Sequence, residues 1–266
     1  MNLEPTGERM ILEHYDSSIE DYVIYVMHIA TYNFAEKYTK GKRVLDYGCG
    51  SGYGSARIAK NAIHVDAVDV ADDAIAYAQA HYATENIAFH CCAPDSRLPF
   101  SDQSFDTVLS FQVFEHIQKT AHYLSEIRRV LKPGGELILV TPDRSTRLLP
   151  WQSPWNRWHI KEYSTKSLRK CLGSFFPEVH IQHMSGRKDV IEIELRRCAK
   201  VKWLTLPFTL PFVPRFLRVK SLNMLHALKG KRQTSSQRRQ FDFDDTDITI
   251  AENAEPSLNL IAVVRK

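Results

Sequence analysis

The chain has 266 residues, of which 44% are apolar and 25% charged, with a net charge of +4. These values fit a soluble globular protein of one large domain, or one domain with an elaborated cap, and exclude a disordered or collagen-like chain. The charge is uneven, +11 over residues 187–239, −4 over 240–266 and −3 over 1–186, so a basic block needs explaining.

Five cysteines (Cys49, Cys91, Cys92, Cys171, Cys198) form no C-x-x-C pair and no metal-ligand spacing. An odd count without a framework implies a reducing compartment and predicts no metal site. The N-terminus has no basic stretch followed by an apolar core, so a cytoplasmic location is expected.

Residues 17–39 read as a helix. Ser17 or Ser18 is its cap, Glu20 and Asp21 lie in its first turn, and Ile19, Val23, Val26, Ala30 and Phe34 form an apolar stripe. Gly41 ends it. Strands follow at 43–47, 63–69, 87–92 and 106–111, with helices at 53–61, 72–83 and 119–131. Lys132-Pro133-Gly134-Gly135 stops the last of these helices, and 136–141 is the fifth strand. Consecutive βα units give a parallel sheet with helices on both faces. Residues 142–162 read as an irregular loop, 165–172 as a short helix capped by Ser164 or Thr165, and 179–183 and 258–264 as strands.

The densest signal is Asp46-Tyr-Gly-Cys-Gly-Ser-Gly-Tyr-Gly54, with a glycine at every second position between a strand and a helix. Such a turn binds an adenosine-containing ligand at the carboxyl ends of the strands. The dinucleotide pattern G-x-G-x-x-G fits poorly, because its third glycine would fall at Tyr53 or Ser55. S-adenosylmethionine fits better. It carries no pyrophosphate, and Asp46 can serve its ammonium group directly or through water. Asp69, ending the second strand, can accept two hydrogen bonds from ribose hydroxyls.

The glycine turn, Asp69, Leu98-Pro-Phe-Ser-Asp-Gln-Ser-Phe-Asp106 and Arg129-Val-Leu-Lys-Pro-Gly-Gly135 together resemble the class I S-adenosylmethionine-dependent methyltransferases, over roughly residues 40–142. The resemblance implies a Rossmann-like, doubly wound α/β sheet, mostly parallel with an antiparallel last strand. It places 179–183 and 258–264 as an antiparallel pair at the sheet edge. Residues 187–254 then become an inserted, acceptor-side cap, 1–40 an N-terminal helical lid, 41–186 the core and 255–266 its closing strand. The expected cofactor set is Tyr32, Asp46, Gly48, Cys49, Gly50, Gly52, Asp69, Val70, Ala93, Asp95 and Gln112. Asp95 stands about one residue later than the family's adenine-binding position, so backbone atoms of Ala93 are an alternative. Tyr22, His28 and Tyr32 either close over the cofactor or pack.

Gln112, Glu115 and His116 follow the fourth strand and can face the methyl donor. Glu115 and His116 are candidate catalytic groups for removing an acceptor proton, or else they support the loop. His159, a third catalytic candidate, and Glu162 lie among Trp151, Trp155, Trp158 and Tyr163. These aromatics either stack on a sugar or aromatic ring, or form a small core of their own.

Within the basic block, Trp203–Pro214 is a 12-residue apolar run with three prolines, too short and broken to span a bilayer. Around it lie Arg215, Arg218, Lys220, Lys229, Lys231, Arg232, Arg238 and Arg239. Residues 201–239 are read either as a cap with solvated charges or as a peripheral contact with anionic membrane or a lipid-linked substrate. No recognised module supports nucleic-acid binding. A weaker resemblance joins Gly7-Glu-Arg9, Tyr32-Asn-Phe-Ala35, Ser110-Phe-Gln-Val-Phe-Glu-His116 and the closing Leu260–Lys266 to methyltransferases of bacterial surface-polysaccharide biosynthesis. It implies O-methylation of a sugar hydroxyl on a glycan or glycan precursor. The alternatives are a small lipid or quinone-like phenol as acceptor, or a non-catalytic cofactor-binding partner subunit.

Overall fold

A computed structural model describes residue 15 and residues 18–228 and 241–266. Ser17, Gly7–Arg9, Lys229–Arg232 and Arg238–Arg239, singled out above, lie outside the described residues.

Eight strands form one sheet: β1 (Arg43–Tyr47), β2 (His64–Asp69), β3 (Ile87–Cys91), β4 (Phe105–Phe111), β5 (Leu131–Pro142), β6 (Glu178–Gly186), β7 (Ile248–Ala251) and β8 (Asn259–Arg265). The order is β3-β2-β1-β4-β5-β8-β6-β7. The first five run parallel, β8 is antiparallel to β5 and to β6, and β7 is antiparallel to β6. The order reverses between β1 and β4, where an open α/β sheet holds its ligand.

The sheet is covered on both faces because its central strands alternate two sets of apolar side chains. Val44, Ile138 and Val140 face the helices α1 (Ile19–Thr39), α2 (Tyr53–Ala59) and α3 (Asp72–Tyr82). Leu45, Leu137 and Leu139 face α4 (Thr120–Val130) and α6 (Thr165–Gly173). Ser18 caps α1, its Oγ accepting from the Asp21 N–H at 3.1 Å.

Three expectations are corrected. The fifth strand begins at Leu131 rather than at Glu136. Helix α4 stops at Val130, and β5 already pairs at Leu131 with Phe105, followed by a register shift that takes up Pro133 and Gly134. The stretch 142–162 contains one helical turn, α5 (Arg144–Arg147), capped by Asp143. The 187–254 segment is not wholly outside the sheet. It holds α7 (Lys188–Thr205) and α8 (Arg215–Leu228), and it returns as β7, so the pair β6 and β8 is not the edge. The Ile-Thr-Ile-Ala strand is too short for its alternation to stand out inside a long connection.

Candidate active site

The turn from β1 to α2 lies where the strand order reverses. Gly50 adopts φ +53°, and among the described residues nothing lies within 4 Å of where a Cβ would stand, so its backbone is open to close approach by a ligand. Packing requires its neighbours instead. A Cβ on Gly48 would strike Val113, and one on Gly52 would strike Ala78 and Phe89. Asp69 braces the turn, its carboxylate accepting from the Gly50 N–H at 2.9 Å and the Ala71 N–H at 3.0 Å. Beside it Val70 is exposed, an apolar face for a flat ring. An open backbone position, a half-buried carboxylate and an exposed apolar side chain fit an adenosine ligand.

Asp46 is buried under the turn, and its carboxylate accepts from Ser55 Oγ at 2.7 Å. Burial pushes its pKa up to about 6, against the pull of the Ser55 hydrogen bond and with a further push from Asp69. A cationic ligand nearby would favour the ionised form. Cys49 is buried, its N–H donating to Val68 O. Tyr32 is also buried, edge-on to Tyr53 and Phe111, and fills the place where a Gly54 side chain would be. Ala93 is exposed, its carbonyl accepting from the Ser96 hydroxyl, and Asp95 pairs with Lys119 at 3.4 Å.

A cavity of about 350 Å³ lies between α1, the loop after β5, α7 and α8. Gln112 enters its lining directly from the carboxyl end of β4, with Glu115 and His159 beside it. Gln112 has φ +56°, and its N–H is tied to Val140 O, so the chain turns sharply as it leaves the strand. Trp155, Asn156 and Trp158 line another part, and Val201, Leu204, Leu222 and Leu225 supply apolar wall.

A charged chain backs the polar lining. Glu162 Oε1 lies 2.7 Å from His159 Nδ1, and a carboxylate only accepts, so His159 carries its proton on Nδ1. Arg147 Nε donates to Glu162 Oε2 at 3.1 Å, and the guanidinium stacks over Trp155 at 4.2 Å. Burial opposes the charge on Glu162, but Arg147 and the His159 hydrogen bond hold it down to about 2. Glu115 behaves in the opposite way. Burial raises it to about 7, tempered by His159 and a 2.9 Å hydrogen bond from Thr141 Oγ1. Its Oε1 is buried and has no hydrogen-bond partner among the described residues.

His116 Nδ1 lies 3.3 Å from the Trp158 carbonyl, which makes Nε2 its basic nitrogen. Its ring stands edge-on to His159 at 4.8 Å. Ligating atoms of Glu115, His116 and His159 lie within 4.8 Å of one another. Two atoms bound tetrahedrally to one ion at about 2.1 Å are only about 3.4 Å apart, so a cation would have to draw the widest pair together.

The three residues proposed from sequence as catalytic are thus brought together, and Glu162 with them. Tyr163 is elsewhere, stacked on Phe114 in the core, and Trp151 is exposed outside the cavity lining. On α1, His28 lines the cavity and is held at about pKa 4 by burial, whereas Tyr22 stacks on Phe241. Arg147 and Arg197 went unnoticed in the sequence. Arg197 is bound to Glu194 at 2.6 Å, an i,i+3 pair on α7 that would have been readable had that helix been recognised.

Residues 45–139 match the family described as "Methyltransferase domain". A Mycolicibacterium smegmatis protein named "Probable S-adenosylmethionine-dependent methyltransferase" is 34% identical over 167 residues, which are 63% of this chain and 62% of that one. A ubiquinone biosynthesis O-methyltransferase of Idiomarina loihiensis is 30% identical over 119 residues, 43% of this chain and 49% of that one. The chain spans about three fifths of the length of the first of these relatives and about half of the second. A Thermotoga maritima structure described as a S-adenosylmethionine-dependent methyltransferase superposes with a TM-score of 0.57 at 14% identity, covering 96% of this chain and 100% of that one. The fold is the Rossmann-like fold of class I methyltransferases. The matched domain is that of methyltransferases, and the name of the Mycolicibacterium relative gives S-adenosylmethionine as that protein's cofactor.

Proposed function

We propose that the chain transfers the methyl group of S-adenosylmethionine to a hydroxyl of an acceptor held in the 350 Å³ cavity. The observation that carries this reading is Glu115. It is a buried carboxylate with one oxygen unpartnered among the described residues, raised to about pKa 7, and it lines the cavity just beyond the β4 end. A base with that pKa is matched to neutral pH. The donor supplies an electrophilic methyl carbon. The acceptor oxygen bonds to that carbon in line as the carbon–sulfur bond breaks, and its proton passes to Glu115. His116 orients the hydroxyl, and His159, held by Glu162 at Nδ1 and by Asn156 Nδ2 at Nε2, supports the wall beside it.

The acceptor is a sugar hydroxyl of a glycan or its precursor. Trp155 and Trp158 offer stacking faces, and Gln112 and Arg157 offer hydrogen bonds to hydroxyls. A second reading, a quinone-like phenol, is supported by the apolar Val201, Leu204, Leu222 and Leu225 and by the ubiquinone O-methyltransferase among the relatives. Incubation with methyl-labelled donor and panels of glycans, lipid-linked sugars and phenols tests both. Label on a sugar oxygen supports the first reading, and label on phenols alone overturns it. Donor binding with no transfer to any acceptor overturns the enzymatic reading.

A further inference from the structure

Eleven large apolar side chains are exposed among the described residues, and six of them fall between Trp203 and Met224. Phe212 is 77% exposed, Phe216 71% and Trp203 60%. They occupy the end of α7, the link to α8, and the outward face of α8, where Phe216, Leu217, Lys220 and Met224 recur at helical spacing. Scattered exposed apolar residues need no explanation, but a contiguous set does.

The charge of this tip is of one sign. Residues 195–228 contain seven Lys or Arg and no Asp or Glu. Lys200, Arg215 and Lys220 are exposed. Arg218 is buried to 5% exposure, its Nε has no hydrogen-bond partner, and among the described residues no carboxylate pairs with it. A buried guanidinium without a counter-ion is costly, and an anion removes that cost. Aromatics interleaved with cations suit a lipid headgroup layer, where rings sit at the interface and ammonium or guanidinium groups meet phosphates. A protein interface core is instead depleted of lysine. A second copy placed tip to tip would oppose two positive surfaces.

We propose that the α7–α8 tip docks on an anionic membrane surface, with Trp203, Phe212 and Phe216 seated in the interface and Lys200, Arg215 and Lys220 on lipid phosphates. Among the described residues no helix is long and apolar enough to cross a membrane, so the contact is peripheral. Val201, Leu204, Leu222 and Leu225 of the same helices line the cavity, so docking brings the cavity wall next to the lipid. The inference stands apart from the methyl-transfer reading, because it is read by binding without turnover.

The test is sedimentation of the full chain with vesicles of phosphatidylcholine alone or mixed with phosphatidylglycerol, at low and physiological salt. Binding to the mixed vesicles is expected, falling steeply with salt because attraction is screened over about 8 Å at physiological ionic strength. The triple change Trp203→Ser, Phe212→Ser, Phe216→Ser, and separately Lys200→Glu, Arg215→Glu, Lys220→Glu, should each weaken it at least about tenfold. Circular dichroism and thermal unfolding show that the variants are folded. Absence of vesicle binding at low salt overturns the proposal. So does binding untouched by the aromatic changes, or a self-association of the free chain that those changes abolish.

Discussion

His159 Nδ1 and Glu162 Oε1 are 2.7 Å apart, both nearly inaccessible to water, and Arg147 closes on the far side of the same carboxylate at 3.1 Å. The histidine therefore owes its tautomer to an ion pair whose arginine itself lines the cavity. Its other nitrogen, Nε2, accepts from Asn156 Nδ2 at 2.9 Å, so the imidazole is held at both ends.

Breaking that pair should be costly. Arg147→Met leaves the Glu162 charge buried and unmatched, and about 3–5 kcal/mol of stability should be lost at neutral pH. The Glu162 carboxyl is depressed to about 2 in the fold. Its stabilising contribution is therefore full above the unfolded carboxyl range near 4.5 and fades as pH falls toward 2. Denaturant titrations of parent and variant at neutral and acid pH measure it, and the gap between them should narrow on acidification.

Glu115→Gln keeps shape and the Thr141 contact but removes the base. Turnover should fall about 10²- to 10⁴-fold with donor affinity unchanged. In the parent, activity should rise with pH through about 7 as Glu115 loses its proton. A variant with the same rate and the same pH profile would remove Glu115 from proton transfer.

Asp69→Ala should weaken S-adenosylhomocysteine binding by at least about tenfold through lost charge-assisted hydrogen bonds. The carboxylate also holds the Gly50 and Ala71 amides, so part of the loss comes from a loosened turn. Asp69→Asn can still accept from one amide and should recover part of the stability but little of the affinity. Calorimetry together with thermal unfolding separates the two contributions.

Gly50→Ala and Gly54→Ala should fail differently. A Cβ at Gly50 meets open space at φ +53°, so stability should fall by only about 1–2 kcal/mol while donor binding is obstructed. At Gly54 the Cβ would run into the Tyr32 ring, so the fold itself should suffer. Adding Tyr32→Phe would not relieve that clash, because the nearest atom is ring carbon.

The core sheet was readable because each strand ends in local punctuation: Gly41 before β1, the glycine run after it, Asp69 closing β2. Those signals depend on neighbours in sequence. The catalytic candidates Glu115 and His116 were visible for the same reason, sitting just past a strand end. Arg147 was not, since its partner Glu162 is fifteen residues away in what read as irregular chain. Helix α7 was hidden because its buried residues, Val190, Ile191, Glu194 and Cys198, mix charge with apolarity, so the stripe looks polar until Arg197 is seen neutralising Glu194.

The four-residue β7 has a consequence for any attempt to trim this protein. It lies against β6, whose nine residues would otherwise present a longer unpaired flank of amide and carbonyl groups. Strands from separate molecules readily join along such a flank, and a short outer strand is one way to discourage them. Cutting out 187–254 would therefore do more than open the acceptor cavity. It would create a surface on which copies of the shortened chain could zip together, so loss of activity in such a truncation would have to be separated from precipitation before being assigned to the missing wall.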